Sequence, residues 1–284
     1  MPGNDAMDHP PFPDAAGHDP SPAGVARKPV VVLVPGMDGT GRLFHVQEAL
    51  LAPAYEVHTV PLRDDATRMD VLVEDLAARL RALGTPDGAG AIVVGESFGG
   101  TLALSLALAH PGLVRALVVV NSFPYFRPQH RLHAALLGLR LLPWGAMPLV
   151  RRLTAWRLHS RFTHRAEVQR FLRETRATTR RGYLNRLRIL TRYDVRAALP
   201  RLAVPTLFVA ADRDHLVPAV AQARLMAGLV PGASVRVLEG HGHICLIAPG
   251  VDLARILAQW GGAGPGGTNE EQPPPDGAAS LARG

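Results

Sequence analysis

The sequence GESFGG at residues 95–100 carries the clearest chemical signal in this chain. An apolar stretch, residues 91–94, leads into it, and a run of small residues typical of a helix, residues 101–110, follows it. A G-x-S-x-G motif on a strand-to-helix turn exposes its serine above the sheet, because the two glycines allow the tight backbone approach of that turn. We therefore predict that Ser97 is a nucleophile and that the N–H of Phe98 binds the developing oxyanion. A plain strand-to-helix connection is the alternative that the motif alone leaves open.

Candidate partners for this serine follow later in the chain. A serine nucleophile of this type requires an acid and then a base in sequence order. Asp212 and Asp214 directly follow the apolar strand-like stretch 205–211, and His241 and His243 follow the next such stretch. Loops at the carboxyl ends of parallel strands meet at one edge of a sheet, where open α/β sheets place their sites. The sequence thus predicts a Ser-Asp-His site with two candidates for each partner.

Four segments together resemble the α/β-hydrolase family. They are PGMDGTG at 35–41, GESFGG at 95–100, DHLVP at 214–218 and Gly-His at 242–243, and the resemblance spans roughly residues 29–260. The first two segments are similar to a branch that includes plant esterases and acyltransferases of the phytyl ester synthase type and many bacterial hydrolases. The resemblance implies an α/β fold with a mostly parallel sheet and helices on both faces. The lengths of the segments available for the core and for the region between its strands predict about six strands and a helical cap.

The family pattern also chooses between the duplicated candidates. It favours Asp214 over Asp212 because a Val-Pro pair follows at 217–218. It favours His243 over His241 because His243, after Gly242, is followed by an apolar run and by a proline six residues later, at Pro249. The alternative for either aspartate is an N-cap of the following helix. We predict the catalytic set Ser97, Asp214 and His243, with the second histidine as a loop residue near the pocket.

The loop after the first predicted strand supplies the second oxyanion donor. A β-branched run at 28–34 ends at PGMDGTG, which places the N–H of Met37 beside that of Phe98. Asp38 is predicted to form an Asx-type turn bond rather than to act in catalysis. The glycine order in this loop is not the dinucleotide fingerprint, and the chain has no G-x-x-x-x-G-K-[ST] sequence. We therefore exclude a nucleotide-binding fold.

Composition indicates one catalytic domain. The chain has 284 residues and is 47% hydrophobic, enough for a large core, and it has no apolar run of membrane-spanning length. Residues 1–27 and 261–284 are rich in Gly and Pro and are predicted to be disordered tails. The first tail lacks a signal-peptide pattern, so a cytoplasmic location is expected. Cys245 is the only cysteine, which excludes an intrachain disulfide, and neither a cofactor nor a metal ion is expected.

The predicted core comprises residues 28–123 and 201–260, and the predicted cap comprises residues 124–200. Because the core begins near residue 28, no sequence remains for an antiparallel hairpin ahead of the parallel strands. The cap has apolar residues at helical spacing, with breaks predicted at Pro143 and Pro148, and a second helical stretch from 168 to 190. Its large side chains are expected to line the mouth of the pocket: Leu132, Leu136, Leu139, Trp144 and Trp156.

Charge is segregated between the predicted cap and the rest of the chain. The cap holds seventeen arginines and three acidic residues, a net charge of +14, whereas the rest of the chain carries −7. This excess is consistent with solvated, Arg-rich helix faces, with steering of an anionic substrate, or with transient contact with a membrane surface. Nucleic-acid binding is disfavoured, because no recognised motif is present and aromatic residues make up only 5% of the chain.

These observations predict a serine hydrolase acting on carboxylic esters, including thioesters, through an acyl-enzyme. Two alternatives stay open. One is an acyltransferase that uses the same acyl-enzyme, and the other is a non-catalytic binding protein on the same fold. The expected partner is a small acyl ester, and neither its acyl chain nor the oligomeric state follows from the sequence.

Overall fold

The computed structural model describes residues 27–261, except 86–87, 127–129, 131–132, 135–136, 139–140 and 142. The two predicted tails lie almost entirely outside the described residues. Leu132, Leu136 and Leu139, which were predicted to line the pocket mouth, lie outside them too, and so does the side chain of Trp156.

Six strands form one parallel sheet in the order β2-β1-β3-β4-β5-β6. Strands β1 and β3 to β5 are almost wholly buried on both faces, which is why apolar residues dominate their sequences. The chain moves to one side of β1 for β2 and to the other side for β3, so the strand order reverses beside β1. The predicted parallel sheet is confirmed. Its strands are Val30–Val34, Glu56–Thr59, Ala91–Glu96, Val114–Val120, Thr206–Ala211 and Ser234–Leu238.

Helices cover both faces of the sheet, as predicted. Side chains alternate along β1, so that Val30, Val32 and Val34 join one apolar cluster and Val31 and Leu33 join the other. Helices α2, α3 and α7 contribute to the first cluster, and α1 and α8 contribute to the second. These helices are α1 His45–Leu51, α2 Met69–Leu83, α3 Phe98–Ala109, α7 Ala219–Leu229 and α8 Leu253–Trp260.

Between β4 and β5, in the part from residue 143 onward that the structure describes throughout, lie the α-helices α4 Met147–Leu158, α5 Arg165–Glu174 and α6 Arg180–Leu190. The predicted break at Pro148 is wrong, because this proline occupies the first turn of α4, where its missing N–H costs no hydrogen bond. The second predicted helical stretch is in fact two helices, since the Thr179 side chain accepts a hydrogen bond from the Gly182 N–H and starts α6 afresh. The boundaries of the cap stay a prediction.

Candidate active site

Ser97 lies on the sharp turn between β3 and α3. Its backbone has φ 54° and ψ −118°, a strained conformation that few residues other than glycine adopt. Its N–H donates to the carbonyl of Val120 at 2.8 Å, which ties the turn to the neighbouring strand. Gly99 lies so close to β1 that a Cβ there would collide with the carbonyl oxygens of Val34 and Pro35. The turn therefore has the geometry predicted for a nucleophile elbow.

A chain of two hydrogen bonds joins the three predicted catalytic side chains. The Ser97 hydroxyl lies 3.0 Å from Nε2 of His243, and Nδ1 of His243 lies 2.7 Å from Oδ2 of Asp214. The side chains of His243 and Asp214 are 4% and 0% exposed. Because an ionised carboxylate only accepts hydrogen bonds, Nδ1 carries the proton and Nε2 is left to accept one from Ser97.

Backbone groups hold Asp214 in place. Its second oxygen, Oδ1, accepts from the N–H groups of Leu216 and Val217 at 2.8 and 2.9 Å. Oδ2 remains directed at His243. Asp214 thus orders its own turn, although the following helix begins only at Ala219 and has Pro218 as its N-cap residue.

His243 has an electrostatic environment suited to a general base. Burial acts to lower its pKa, but the charge and hydrogen bond of Asp214, with the charge of Glu96, outweigh burial and raise the pKa above its ordinary value. A raised pKa means that the imidazolium formed during proton transfer is stabilised. Removing either negative charge would therefore make His243 a weaker base.

The two rejected candidates have other partners. Oδ1 of Asp212 accepts from the Gly240 N–H at 2.6 Å, which closes the loop after β6. Nδ1 of His241 lies 2.7 Å from the Ser160 hydroxyl, at the end of α4. Burial lowers the pKa of His241, the opposite direction from that of His243. Neither residue joins the chain of hydrogen bonds that ends at Ser97.

The two predicted oxyanion donors come from neighbouring loops. Phe98 opens α3, so its N–H has no acceptor within the helix. The loop that holds Met37 lies against the elbow, since a Cβ at Gly36 would stand only 3.4 Å from Cβ of Ser97. The Gly36 carbonyl accepts from the Gly39 N–H at 3.1 Å, which fixes the peptide plane that carries the Met37 N–H.

Asp38 makes the predicted local bonds. Its Oδ2 accepts from the N–H and the hydroxyl of Thr40 at 2.9 and 2.6 Å. Asp38 therefore shapes the loop, and neither of these bonds joins it to Ser97.

Sequence reasoning missed Asn121, which follows β4 and has φ 46°. Its amide nitrogen donates to the His243 carbonyl at 2.8 Å, and its amide oxygen accepts from the Ala211 N–H at 2.8 Å. It thereby connects the loop that carries the base to the strand that precedes the acid. The signal for it in the sequence is a polar residue directly after the apolar run 116–120, at the same sheet edge as the other candidates.

Sequence reasoning also missed Glu96, which directly precedes the nucleophile. Its side chain is buried, and Oε1 has no hydrogen-bond partner. Burial raises its pKa to about 7, and the charges of Asp38 and Asp214 add to this while His243 opposes it. A buried carboxyl group with a raised pKa thus lies one residue from the predicted nucleophile.

No grouping of metal ligands is found among the described residues, where no three His, Cys, Asp or Glu side chains gather as an ion would require. Cys245 is buried, and Asn121 donates to its sulfur at 3.4 Å. In the same part of the chain, no helix combines the length and apolarity needed to cross a membrane.

Comparisons with known proteins agree with this fold. Residues 31–256 match the sequence profile of the alpha/beta hydrolase family. The chain is 31% identical over 254 residues to RutD of Klebsiella pneumoniae (strain 342), provisionally described as a carbamate hydrolase, across 84% of this chain and 92% of that protein. The chain therefore belongs to the α/β-hydrolase family.

Solved structures with low sequence identity have the same fold. A hydrolase from Pseudomonas aeruginosa PA01 gives a TM-score of 0.68 at 24% identity, over 78% of this chain and 85% of that chain. The enol-lactonase from Burkholderia xenovorans LB400 gives a TM-score of 0.64 at 21% identity, over 77% of this chain and 85% of that chain. None of these three relatives bears the name of the phytyl ester synthase branch, so that placement stays a prediction.

Proposed function

We propose that this protein is a serine hydrolase that cleaves carboxylic esters, including thioesters, through an acyl-enzyme. The observation that supports this most strongly is the chain of hydrogen bonds from Ser97 through His243 to Asp214. This is the arrangement of nucleophile, base and orienting acid that acyl transfer by a serine requires. Membership of a family of hydrolases agrees with it.

In the first half-reaction, the Ser97 hydroxyl gives its proton to Nε2 of His243 as its oxygen bonds to the acyl carbon. The carbonyl electron pair moves to oxygen, and the N–H groups of Met37 and Phe98 bind the resulting oxyanion. Collapse of this intermediate breaks the bond to the leaving group, which takes the proton from His243. Asp214 stabilises the imidazolium throughout and keeps its Nδ1 protonated.

In the second half-reaction, a water molecule gives a proton to His243 and attacks the acyl carbon. The same oxyanion donors act again, and the bond to Ser97 breaks with return of the proton to its oxygen. An alcohol that replaced this water would convert hydrolysis into acyl transfer. The two activities therefore differ only in the second nucleophile.

A carbamate is a second candidate substrate, because relatives described as carbamate hydrolases align over most of the chain. Its carbonyl carbon bonds to nitrogen as well as to oxygen, which makes it less electrophilic than that of an ester. The same serine attack applies, with an amine or an alcohol as the leaving group. Esters are the preferred substrates under this proposal.

The test is turnover by the purified protein of p-nitrophenyl esters, a matching thioester and a p-nitrophenyl carbamate, each with and without added short-chain alcohols. We expect ester and thioester turnover with free acid as the main product. A transesterified product in excess of free acid would favour the acyltransferase. Turnover of the carbamate alone would reject ester hydrolysis, and turnover of none of them would favour the binding protein.

A further inference from the structure

The outward side of helix α4 carries exposed apolar side chains. Leu149, Val150 and Leu153 are 58%, 37% and 63% exposed, and their spacing places them on one side of the helix; we call them the α4 apolar face. Leu141 before the helix and Phe162 after it are 77% and 44% exposed. Contiguous exposed apolar groups of this kind mark interaction surfaces more often than isolated ones do.

Exposed arginines lie on or next to α4 and the neighbouring helix α5. Arg152 lies on α4, Arg161 follows it, and Arg165, Arg173 and Arg176 lie on or just after α5. A cleft of about 880 Å³ separates the two helices, and its lining combines apolar with basic side chains: Leu149, Leu172, Val168, Arg152, Arg165 and Arg176. The apolar face and the positive charge are therefore parts of one surface.

The acidic residues of the cap do not neutralise this charge, because each is paired. Glu167 lies 2.9 Å from His45, Glu174 lies 3.5 Å from Arg42, and Asp194 lies 2.6 Å from Arg196. Fourteen more arginines than acids remain between residues 124 and 200. A partner for this surface must therefore offer both negative charge and an apolar phase.

We propose that the α4 apolar face and its arginines dock the protein on membranes that contain anionic phospholipid. The negatively charged headgroups of such a membrane attract the arginines, and the apolar layer beneath the headgroups accommodates the leucines. A second copy of the chain would bring two caps of like charge together, which opposes association. A nucleic acid would pair with the arginines but leave the leucines in water. This interaction does not depend on the proposed catalytic activity.

Co-sedimentation with vesicles tests this inference. The full-length protein is mixed with phosphatidylcholine vesicles, with and without phosphatidylglycerol, at low and high salt. We expect binding only to the anionic vesicles, weakened by salt because the headgroup attraction is screened. The double variant Leu149→Ser, Leu153→Ser and the double variant Arg152→Gln, Arg165→Gln should each bind at least about tenfold more weakly.

Leu225→Ser is the matched control, because Leu225 is an exposed leucine (38%) on α7, outside the cap. It should bind vesicles as the unchanged protein does. Equal binding by the control and the α4 leucine variant would overturn the proposal, as would the absence of anionic vesicle binding. A dimer in sedimentation velocity that the leucine variant abolishes would also overturn it, in favour of a second copy.

A different observation carries a second inference, which rests on the proposed function. Arg186, on helix α6, is 1% exposed, and its guanidinium reaches the loop that holds the predicted oxyanion donor. Nε donates to the Met37 carbonyl at 3.1 Å, and Nη2 donates to the Asp38 carbonyl at 3.3 Å. Nη1 donates to Asp64 at 3.2 Å, which supplies the opposite charge.

The loop is shaped to receive this guanidinium. A Cβ at Gly39 would lie only 2.6 Å from its carbon atom, so only glycine allows the approach. The turn bond between Gly36 and Gly39 fixes the peptide plane before Met37, and Arg186 fixes the next two. Every peptide plane across residues 36–39 is therefore held by a hydrogen bond.

We infer that Arg186 is a positioning residue for oxyanion stabilisation, acting through the Met37 loop without touching substrate. Its loss should leave the loop free to move away from the elbow. The oxyanion, which exists only after attack, would then be bound less well, while the substrate would bind as before. A lower kcat with a nearly unchanged KM is the expected signature.

The test compares Arg186→Met and Arg186→Lys with Arg188→Met, whose arginine is exposed on the same helix and bonds to Asn185. Exhaustive labelling with a fluorophosphonate counts intact sites, so that kcat refers to folded enzyme only. We expect kcat per site to fall at least about tenfold in Arg186→Met, with a smaller loss in Arg186→Lys and none in Arg188→Met. Affinity for a trifluoromethyl ketone, which forms a similar oxyanion, should fall in parallel.

Unchanged kcat per site and unchanged ketone affinity in folded Arg186→Met or Arg186→Lys would overturn the inference. So would a loss confined to the number of labelled sites, which indicates a purely structural role. Ester hydrolysis is also measured for the protein without substitutions and for Ser97→Ala. Turnover by the first and not by the second supports the proposed function independently of Arg186. Failure of the Arg186 prediction is thereby distinguished from failure of the proposed function.

Discussion

At the scale of single residues, backbone contacts hold those groups of the candidate site whose conformation or burial is energetically unfavourable. Ser97 keeps a strained φ of 54° because the Val120 carbonyl and the contact of Gly99 with β1 fix its turn. Asp214 is fully buried at its side chain but accepts three hydrogen bonds. These bonds satisfy the buried carboxylate, and the one to His243 fits the orienting role predicted for Asp214.

The duplicated candidates give a direct prediction. His243→Ala and Asp214→Asn should each lower kcat/KM at least about a hundredfold, because the first removes the base and the second removes the charge that stabilises it. His241→Ala and Asp212→Asn should cost much less, since their hydrogen bonds are to Ser160 and Gly240. Steady-state kinetics on a p-nitrophenyl ester checks this. A larger loss in either of the latter two variants would reverse that assignment.

Glu96 gives a prediction on pH dependence. His243 must be neutral to accept a proton, so kcat/KM falls as the pH drops through its pKa, which lies above the ordinary 6.5. The negative charge of Glu96 is one cause of that raised pKa. Glu96→Gln removes this charge and should move the acid limb of the kcat/KM profile to lower pH.

Glu74→Gln is the control, because Glu74 is exposed and pairs with His110 on the protein surface. Its acid limb should coincide with that of the unchanged protein. An acid limb that moves to higher pH in Glu96→Gln, or does not move, would contradict the assigned coupling between Glu96 and His243.

At the scale of elements, the site is assembled where β1 and β3 end side by side. The elbow after β3 and the loop after β1 are in contact through glycines, so the two predicted oxyanion donors meet only if both strands keep their register. Asn121 after β4 then ties in the loop that holds His243. Each loop is therefore positioned by a strand buried in the sheet.

The glycine contact predicts a sharp difference between two substitutions. Gly99→Ala places a Cβ against the Val34 carbonyl and should destabilise the fold by about 2 kcal/mol or more, with loss of activity. Gly112→Ala, where a Cβ meets nothing within 4 Å, should change stability by less than about 0.5 kcal/mol. Urea unfolding measures both free energies. Equal stability of the two variants would contradict the close contact described for Gly99.

The elements that the sequence predicted best are those with one uniform environment. Strands β3 and β5 are buried throughout and consist mainly of apolar residues, and they match the predicted stretches at 91–94 and 205–211 closely. Strand β2, Glu56–Thr59, was not singled out, because this short edge strand is half-buried and mixes charged with apolar residues. The contacts of Asn121 and Arg186 were not predictable, since they join segments that are distant in sequence.

At the scale of the whole molecule, the Arg-rich helices between β4 and β5 lie against a core whose charges nearly balance, with 14 acidic and 12 basic residues in 28–123 and 201–260. Arg186 and Ser160 both join this helical region to loops of the candidate site, through the Met37 carbonyl and through His241. Trp144 packs on Tyr183 with ring centroids 6.1 Å apart, and Arg151 lies 5.7 Å from the Trp144 ring centroid. This region is therefore coupled to the site by specific polar contacts.

If this region lines the pocket mouth, substrate preference should follow acyl length. We expect kcat/KM for p-nitrophenyl esters to rise from acetate to medium chains and then level off. Each newly buried methylene contributes up to about 0.8 kcal/mol, or about fourfold. A flat or falling profile would reject an apolar mouth. An anionic acyl donor should lose kcat/KM at high salt, whereas a neutral ester should not.

The central claim is that Ser97 is the nucleophile, and covalent labelling tests it most directly. The protein is treated with a fluorophosphonate, and the modified residue is located by mass spectrometry of its peptides. We predict a single adduct on Ser97, and for Ser97→Ala no adduct and a loss of ester turnover of about a thousandfold or more with the fold intact. An adduct on another serine, such as Ser160 beside His241, or turnover by Ser97→Ala within about tenfold of the unchanged protein, would contradict the claim.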